Sequence, residues 1–252
     1  MTTWALDLDG VLWRGKEPIS GSAAGVAKLR SAGHQVVFVT NNSFATIADQ
    51  EAKLGAFGIL AGGDVISSAM AGAQLVAPGD RVFVLGGPGI REAIVARGAT
   101  LLDVPEPGSS SADAVVVGLD WDLSYDRLRA AVQAVSGGAR FIATNTDSTY
   151  PTERGFFPGA GAVVAAVAAA TGREPEVAGK PEAPIAALVR ARYGDEGIMV
   201  GDRPETDGAF ARTLGYRFGL VLSGVTQPGD LPVIPAPDIV AADLGSLVAL
   251  HS

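Results

Sequence analysis

Cysteine is absent from the chain, and histidine is nearly so, with only His34 and His251 in 252 residues. Without cysteine there is no disulfide framework, no thiolate nucleophile and no Cys-ligated metal. Two histidines leave little room for a His-based general base or a His-rich zinc site. Nucleophilic and acid–base chemistry then falls to carboxylates, hydroxyls and lysine. Long apolar runs are missing too. The longest, Ala160 to Ala170, is rich in Ala and Val and too short to span a bilayer. The N-terminal MTTWALDLDG has neither a basic n-region nor an apolar h-region, so no signal peptide is expected there. No membrane partner is expected, and the cytoplasm is the expected compartment.

What is present in excess is acid. The net charge is -8 and the isoelectric point about 4.8. Such a surface repels nucleic-acid backbones, which disfavours a nucleic-acid partner. It also suits carboxylates gathered around a divalent cation, although surface acidity is common and decides nothing alone. The length allows one large α/β domain or two smaller ones with a self-sufficient core.

Along the chain, apolar β-branched runs alternate with helix-length amphipathic stretches. The runs are Thr3–Leu8, Gln35–Thr40, Arg81–Leu85, Asp113–Gly118, Arg140–Thr144, Gly197–Gly201 and Arg217–Leu222. Helices are expected over 20–32, 44–57, 66–76, 90–97, 124–135, 159–170, 183–193 and 205–214. Near-continuous hydrophobic strands followed by helices read as a parallel sheet with crossover helices, an α/β fold. The rhythm breaks at APGD (77–80) and at GREPEVAGKP (172–181). The block between the breaks has the makings of its own small α/β unit, with PEPGSSS (105–111) as a loop inside it.

Four segments stand at the carboxyl ends of expected strands, where open α/β sheets bind ligands. In Asp7-Leu8-Asp9-Gly10, residues i and i+2 of a strand share a face, so Asp7 and Asp9 are expected to converge, with Gly10 turning the chain away. A bound Mg²⁺ would keep one carboxylate ionised as a nucleophile, leaving the other to carry a proton. A solvated acidic loop explains the pair as well. Thr40-Asn41-Asn42-Ser43 precedes a helix and offers hydroxyls and free N–H groups to an anion, or else a plain N-cap. In Gly179-Lys180-Pro181 the lysine either neutralises a phosphoryl charge or is an ordinary solvated side chain. In GDRPETD (201–207), Asp202 is either a hard-cation ligand or part of a capped turn. Each is ambiguous alone. Together they supply nucleophile, hydroxyl, cation and metal carboxylate, the parts of a phosphoryl-transfer site. Other motifs fail: Gly86-Gly87-Pro88-Gly89 does not complete a dinucleotide fingerprint, and Gly179-Lys180 lacks the spacing of a Walker A loop.

DLDGV, TNNS, GKP and GDRPETD resemble, in type, order and spacing, the signatures of the haloacid dehalogenase superfamily. TNTDSTYPTERGFFPGAGA (144–162) and VVVGLDWDLSYDRL (115–128) resemble its para-nitrophenyl phosphatase and glycerol or pyridoxal phosphate phosphatase branch. The resemblance implies a Rossmann-like, doubly wound parallel-sheet core over 1–77 and 177–252, with an inserted smaller α/β cap domain over 78–176. It implies Asp7 as the nucleophile that becomes an aspartyl-phosphate, and Asp9 as general acid and then base. It places phosphate at Thr40, Asn41 and Asn42, with Lys180 bridging nucleophile and phosphate. It implies Mg²⁺ on Asp7, the Asp9 carbonyl and Asp202, supported by Asp207. Asn145, Asp147 and Tyr150 become the cap residues expected to reach the substrate. Some relatives carry histidine near the position of Tyr150, so tyrosine argues against their pyridoxal phosphate preference. Many members pair through the cap, making a homodimer the expected assembly.

The expected activity is a Mg²⁺-dependent phosphatase for small phosphorylated metabolites such as glycerol 3-phosphate, phosphoglycolate or a nucleoside monophosphate. Two rivals differ in identifiable ways. A receiver-like, non-catalytic phospho-acceptor takes the phosphoryl group on a later strand and lacks the acid at i+2. A phosphotransferase of the same superfamily would carry a small cap.

Overall fold

The computed structural model of the chain describes residues 1–104, 112–152 and 155–251. The loop expected at 105–111 lies outside them. Contacts divide the chain into two compact units. One comprises 1–40, 48–66 and 180–252, and the other 41–47 and 67–179. These divisions fall at other positions than the expected 77/78 and 176/177. Among the described residues no helix is long and apolar enough to cross a membrane.

The first unit is built on a six-stranded sheet in the order Ile239–Ala241, Arg217–Val221, Gly197–Gly201, Thr3–Leu6, Gln35–Thr40, Val65–Ser67. The run TWAL is wholly buried and lies at the centre, parallel to both neighbours, with Leu6 opposite Val200 on one side and Phe38 on the other. Continuous apolar character suits a strand covered on both faces. From Thr3–Leu6 the chain builds outward to one edge. It later returns to Gly197–Gly201 and builds outward to the other.

The second unit holds a five-stranded sheet in the order Glu176–Val177, Arg140–Ala143, Ala114–Val117, Arg81–Leu85, Thr100–Leu102, with every pairing parallel. Successive residues of its strands face opposite sides. Phe83, Leu85, Val115, Val117 and Phe141 pack with Ala130, Ala134, Val163 and Val167 of the helices Tyr125–Ser136 and Ala160–Thr171. Val82, Val84, Ala114, Val116 and Ile142 pack on the other side with Ala69, Ala73, Ile90 and Ile94 of Ser68–Gln74 and Pro88–Ala96. The α/β class and its parallel sheets are therefore as the alternation of runs implied.

Several boundaries differ from expectation, each for a local reason. The helix expected from 66 begins at Ser68, because Val65–Ser67 is extended at the sheet edge and the Ser67 hydroxyl caps the helix through the Met70 amide. The helix expected from 44 begins at Ile47. The Asn42 carboxamide instead accepts the amides of Phe44 (3.0 Å) and Ala45 (3.2 Å), an Asx-type turn that competes with helix. Residues 205–214 split into a π-helical turn, Pro204–Gly208, and an α-helix, Ala209–Leu214. The short ribbon Thr149–Thr152 with Gly155–Pro158, the edge strand Ile239–Ala241 and the helix Leu244–Leu250 had too little periodic sequence to be anticipated.

Candidate active site

The strand order of the first unit reverses between Thr3–Leu6 and Gly197–Gly201, and such a reversal opens a crevice beyond the carboxyl ends of the two strands. Asp7 and Asp202 occupy those two ends. The Asp7 amide still donates to the Val200 carbonyl at 2.9 Å, so its carboxylate is anchored one residue past the strand. The strand stops at Leu6, however, because the Leu8 carbonyl turns to accept the Leu12 amide at 2.9 Å. The strand argument for Asp7 and Asp9 therefore does not apply. Asp9 sits within that turn, where its Oδ1 accepts the Trp13 indole N–H at 2.7 Å.

The acids brought together are instead Asp7, Asp202 and Asp207, all buried, each with an oxygen within 4.8 Å of the others. Lys180 enters this cluster from residues just ahead of the helix Ala183–Tyr193. Its ammonium donates to Asp7 Oδ1 at 2.7 Å and to Asp207 Oδ1 at 2.6 Å. Burial alone would push the lysine's pKa down, but Asp207 and Asp7 outweigh it and hold the pKa above the usual lysine range. The other Asp207 oxygen accepts the amides of Asp202 (3.2 Å) and Arg203 (3.1 Å). That ties the π-helical turn back onto the strand end, and it explains Gly201, where a Cβ would overlap the Asp207 side chain.

Three buried carboxylates outnumber the cations around them, Lys180 and, near Asp202, Arg203, and the imbalance shows. Burial drives the Asp7 pKa well above the ordinary carboxylate range; Lys180 opposes this, and Asp207 and Asp202 reinforce it. Asp202 is pushed up to about 7, first by burial and then by Asp207. Its Oδ1 is buried without a hydrogen-bond partner. Among the described residues the other two such atoms are the neutral N–H groups of Trp4 and Gln50. An orphaned carboxylate oxygen beside like-charged neighbours fits a hard divalent cation, which takes oxygen ligands. Asp7 and Asp202 have side-chain oxygens that could serve such a cation, whereas both Asp207 oxygens are already committed.

Asp202 is also held by residues that no motif had singled out. Its Oδ2 accepts the Val225 amide at 2.5 Å, and its carbonyl accepts the Thr226 hydroxyl at 2.6 Å. Gly10, at φ +84°, and Gly224 both press against its carboxylate, and a Cβ at either would overlap it. Ser223 donates to the Gly10 carbonyl at 2.7 Å. The available signal was S-G-V-T directly after a strand, too short to stand out.

Thr40 is buried and ends the strand beside Thr3–Leu6, so it lies at the same sheet edge as Asp7. Asn41 and Asn42 belong to the second unit. There, Asn145 donates to the Asn41 carbonyl at 2.7 Å, and Asp147 accepts from the Asn41 carboxamide at 3.1 Å. Ser43 and Thr144 share a hydroxyl contact at 2.8 Å. Asn145 and Asp147 thus hold the segment that follows Thr40. The Tyr150 ring meets Trp121 edge-on, with centroids 6.0 Å apart.

A parallel α/β sheet with an acid, a lysine and an orphaned carboxylate at its switch point defines a hydrolase of the haloacid dehalogenase type. Accordingly, the model described as haloacid dehalogenase-like hydrolase matches residues 4–100, and a second HAD-hydrolase-like model matches 177–247. An acid sugar phosphatase of Staphylococcus saprophyticus is 39% identical over 211 residues, covering 81% of this chain and 80% of its own. A 5'-nucleotidase of Bacillus subtilis is 37% identical over 231 residues, covering 89% and 88%. The crystal structure of a glycerol phosphate phosphatase from Mycobacterium tuberculosis in complex with magnesium superimposes with a TM-score of 0.89 at 36% identity, covering 98% of this chain and 76% of that one. The chain belongs to the haloacid dehalogenase-like hydrolase family.

Proposed function

We propose that the protein is a magnesium-dependent phosphatase that hydrolyses small phosphomonoesters through an aspartyl-phosphate on Asp7. One observation carries the assignment. Lys180 is clamped between Asp7 and Asp207 while Oδ1 of Asp202 is buried without a hydrogen-bond partner. Lys180 holds the Asp7 carboxylate by Oδ1 and adds positive charge where the equatorial phosphoryl oxygens carry negative charge. Asp7 attacks phosphorus, a P–O bond to Asp7 forms, and the bond to the leaving oxygen breaks. Asp9, held by Trp13, gives its proton to the departing alkoxide. Asp9 then takes a proton from water, which attacks the phosphorus of the aspartyl-phosphate and releases inorganic phosphate and free Asp7. Asp7, Asp202 and the Asp9 carbonyl would hold Mg²⁺, which when bound would supply positive charge that lets nucleophile and phosphoryl group approach. Asp207 supports the site by fixing Lys180.

Thr40, Asn41 and Asn42 form the phosphate position in this reading. The segment 78–176 acts as a cap that selects the leaving group, with Tyr150 touching it and Asn145 and Asp147 steadying Asn41. The relatives act on glycerol phosphate, sugar phosphates or nucleotides, which supports small phosphorylated metabolites as the substrate class. The lack of cysteine supports the cytoplasm as the compartment. The resemblance to capped members supports a homodimer through the cap, which light scattering on the purified protein tests.

Asp7→Asn tests the chemistry. On para-nitrophenyl phosphate with Mg²⁺, turnover is expected to fall at least about 10³-fold, since removal of a covalent nucleophile leaves only residual catalysis. Wild-type turnover in that variant, with contaminating phosphatase excluded, would overturn the nucleophile. Phosphate release across a panel of phosphomonoesters identifies the leaving group.

A further inference from the structure

The loop Ser223-Gly224-Val225-Thr226 grips Asp202 from three directions. The Val225 amide takes Oδ2 (2.5 Å) and the Thr226 hydroxyl takes the Asp202 carbonyl (2.6 Å). The Thr226 amide also donates to that carbonyl, at 3.3 Å. The bare Cα of Gly224 lets the carboxylate lie against the main chain. Gly224 is not needed for its backbone angles, since its φ is not positive. It is needed for its missing side chain. The loop is in turn fixed to the turn that carries Asp9: Ser223 donates to the Gly10 carbonyl at 2.7 Å, and the Arg14 guanidinium donates to the Ser223 carbonyl. With Oδ2 spent on Val225, Oδ1 alone stays open.

We infer that residues 223–226 are a positioning loop for the cation site, with Thr226 and Gly224 as its two side-chain determinants. Thr226 holds the Asp202 main chain, while Gly224 and the Val225 amide fix the rotation of its carboxylate, so that Oδ1 is presented to Mg²⁺. This rests on the reading that Asp202 holds the cation. Groups that orient a metal ligand are worth about 10- to 100-fold in metal affinity, and the loop is of that kind. A carboxylate left to rotate would spend Oδ1 on a local amide instead.

The test is equilibrium titration of Mg²⁺ into the metal-free full-length protein, with no substrate present. Thr226→Val keeps the shape and removes the hydroxyl. It is expected to weaken Mg²⁺ about 10-fold, while Thr226→Ser restores affinity to within about twofold of wild type. Gly224→Ala is expected to weaken Mg²⁺ about 100-fold. Far-UV circular dichroism checks each fold, and Thr226→Val carries the test if Gly224→Ala does not fold. The para-nitrophenyl phosphatase kcat of Thr226→Val at saturating Mg²⁺ should stay within about threefold of wild type, so the defect lies in the cation's affinity. Unchanged Mg²⁺ affinity in Thr226→Val, or equal loss in Thr226→Ser, overturns the inference. Asp202→Asn separates the two levels. If it binds Mg²⁺ as wild type does, the cation is not on Asp202 and the underlying reading falls. If it loses binding while Thr226→Val and Gly224→Ala keep it, only the role of the loop falls.

Discussion

The two units each contain a parallel sheet covered by helices, and each buries charge just past a strand end, but they settle that charge in opposite ways. In the second unit Asp120 follows the strand Ala114–Val117. It accepts two hydrogen bonds from Arg127, at 2.7 and 3.2 Å, and the Asp122 amide at 2.9 Å. One cation answers one anion and both carboxylate oxygens are used. In the first unit three buried carboxylates share one ammonium, with the Arg203 guanidinium also near Asp202, and an oxygen is left over. A balanced pair of this kind fixes a loop. An unbalanced cluster raises the free energy of the metal-free protein and makes a place for a cation and a phosphoryl group.

This contrast can be broken by removing charges one at a time. Lys180→Met should do most harm. It leaves Asp7 and Asp207 buried without the ammonium that pairs them, and unpairing a buried ion costs about 3–5 kcal/mol, read by denaturant unfolding, with loss of para-nitrophenyl phosphatase activity. Asp120→Asn comes next, at about 2–3 kcal/mol, the worth of hydrogen bonds to a charged partner. Its Mg²⁺ affinity should stay within about twofold of wild type, since Asp120 belongs to the balanced pair. Asp202→Asn should have the opposite sign. The metal-free protein is expected to gain about 1–2 kcal/mol of stability at pH 8, as a site that trades stability for function gains when its charge is removed. The stabilisation that Mg²⁺ gives the wild type should vanish in it. If Asp202→Asn and Asp120→Asn shift unfolding in the same direction, the contrast between the units is wrong. Smallest is Arg140→Ala, whose half-exposed pair with Glu176 at 3.4 Å should cost less than about 1 kcal/mol.

How much of this was legible beforehand follows the range of the interactions. Gln35–Thr40, Arg81–Leu85 and Gly197–Gly201 fall where their apolar runs do, because burial on both faces writes itself into every residue of a strand. Asp7, Lys180 and Asp202 were found through local motifs, and their meeting follows from strand order. The grouping of Asp207 with them was understated, because its contact with Lys180 depends on a π-helical turn that a normal helical repeat does not suggest. Strand alternation ends at Leu6 and does not extend to Asp9, whose hydrogen bond from the Trp13 indole has no counterpart in a strand pattern. The 223–226 loop was invisible, because most of its grip on Asp202 comes from main-chain atoms and a missing side chain.

That last point bears on how this site can change over generations. Val225 is 45% exposed, and its amide serves Asp202. A site secured through amides and carbonyls is indifferent to most substitutions at that position. In a saturation library over 223–226 selected for phosphatase activity, position 225 should accept nearly any residue except proline, which has no amide proton. Position 224 should stay glycine, and position 226 should keep a hydroxyl. The loop can therefore vary its outward face freely while its hold on the carboxylate is inherited intact.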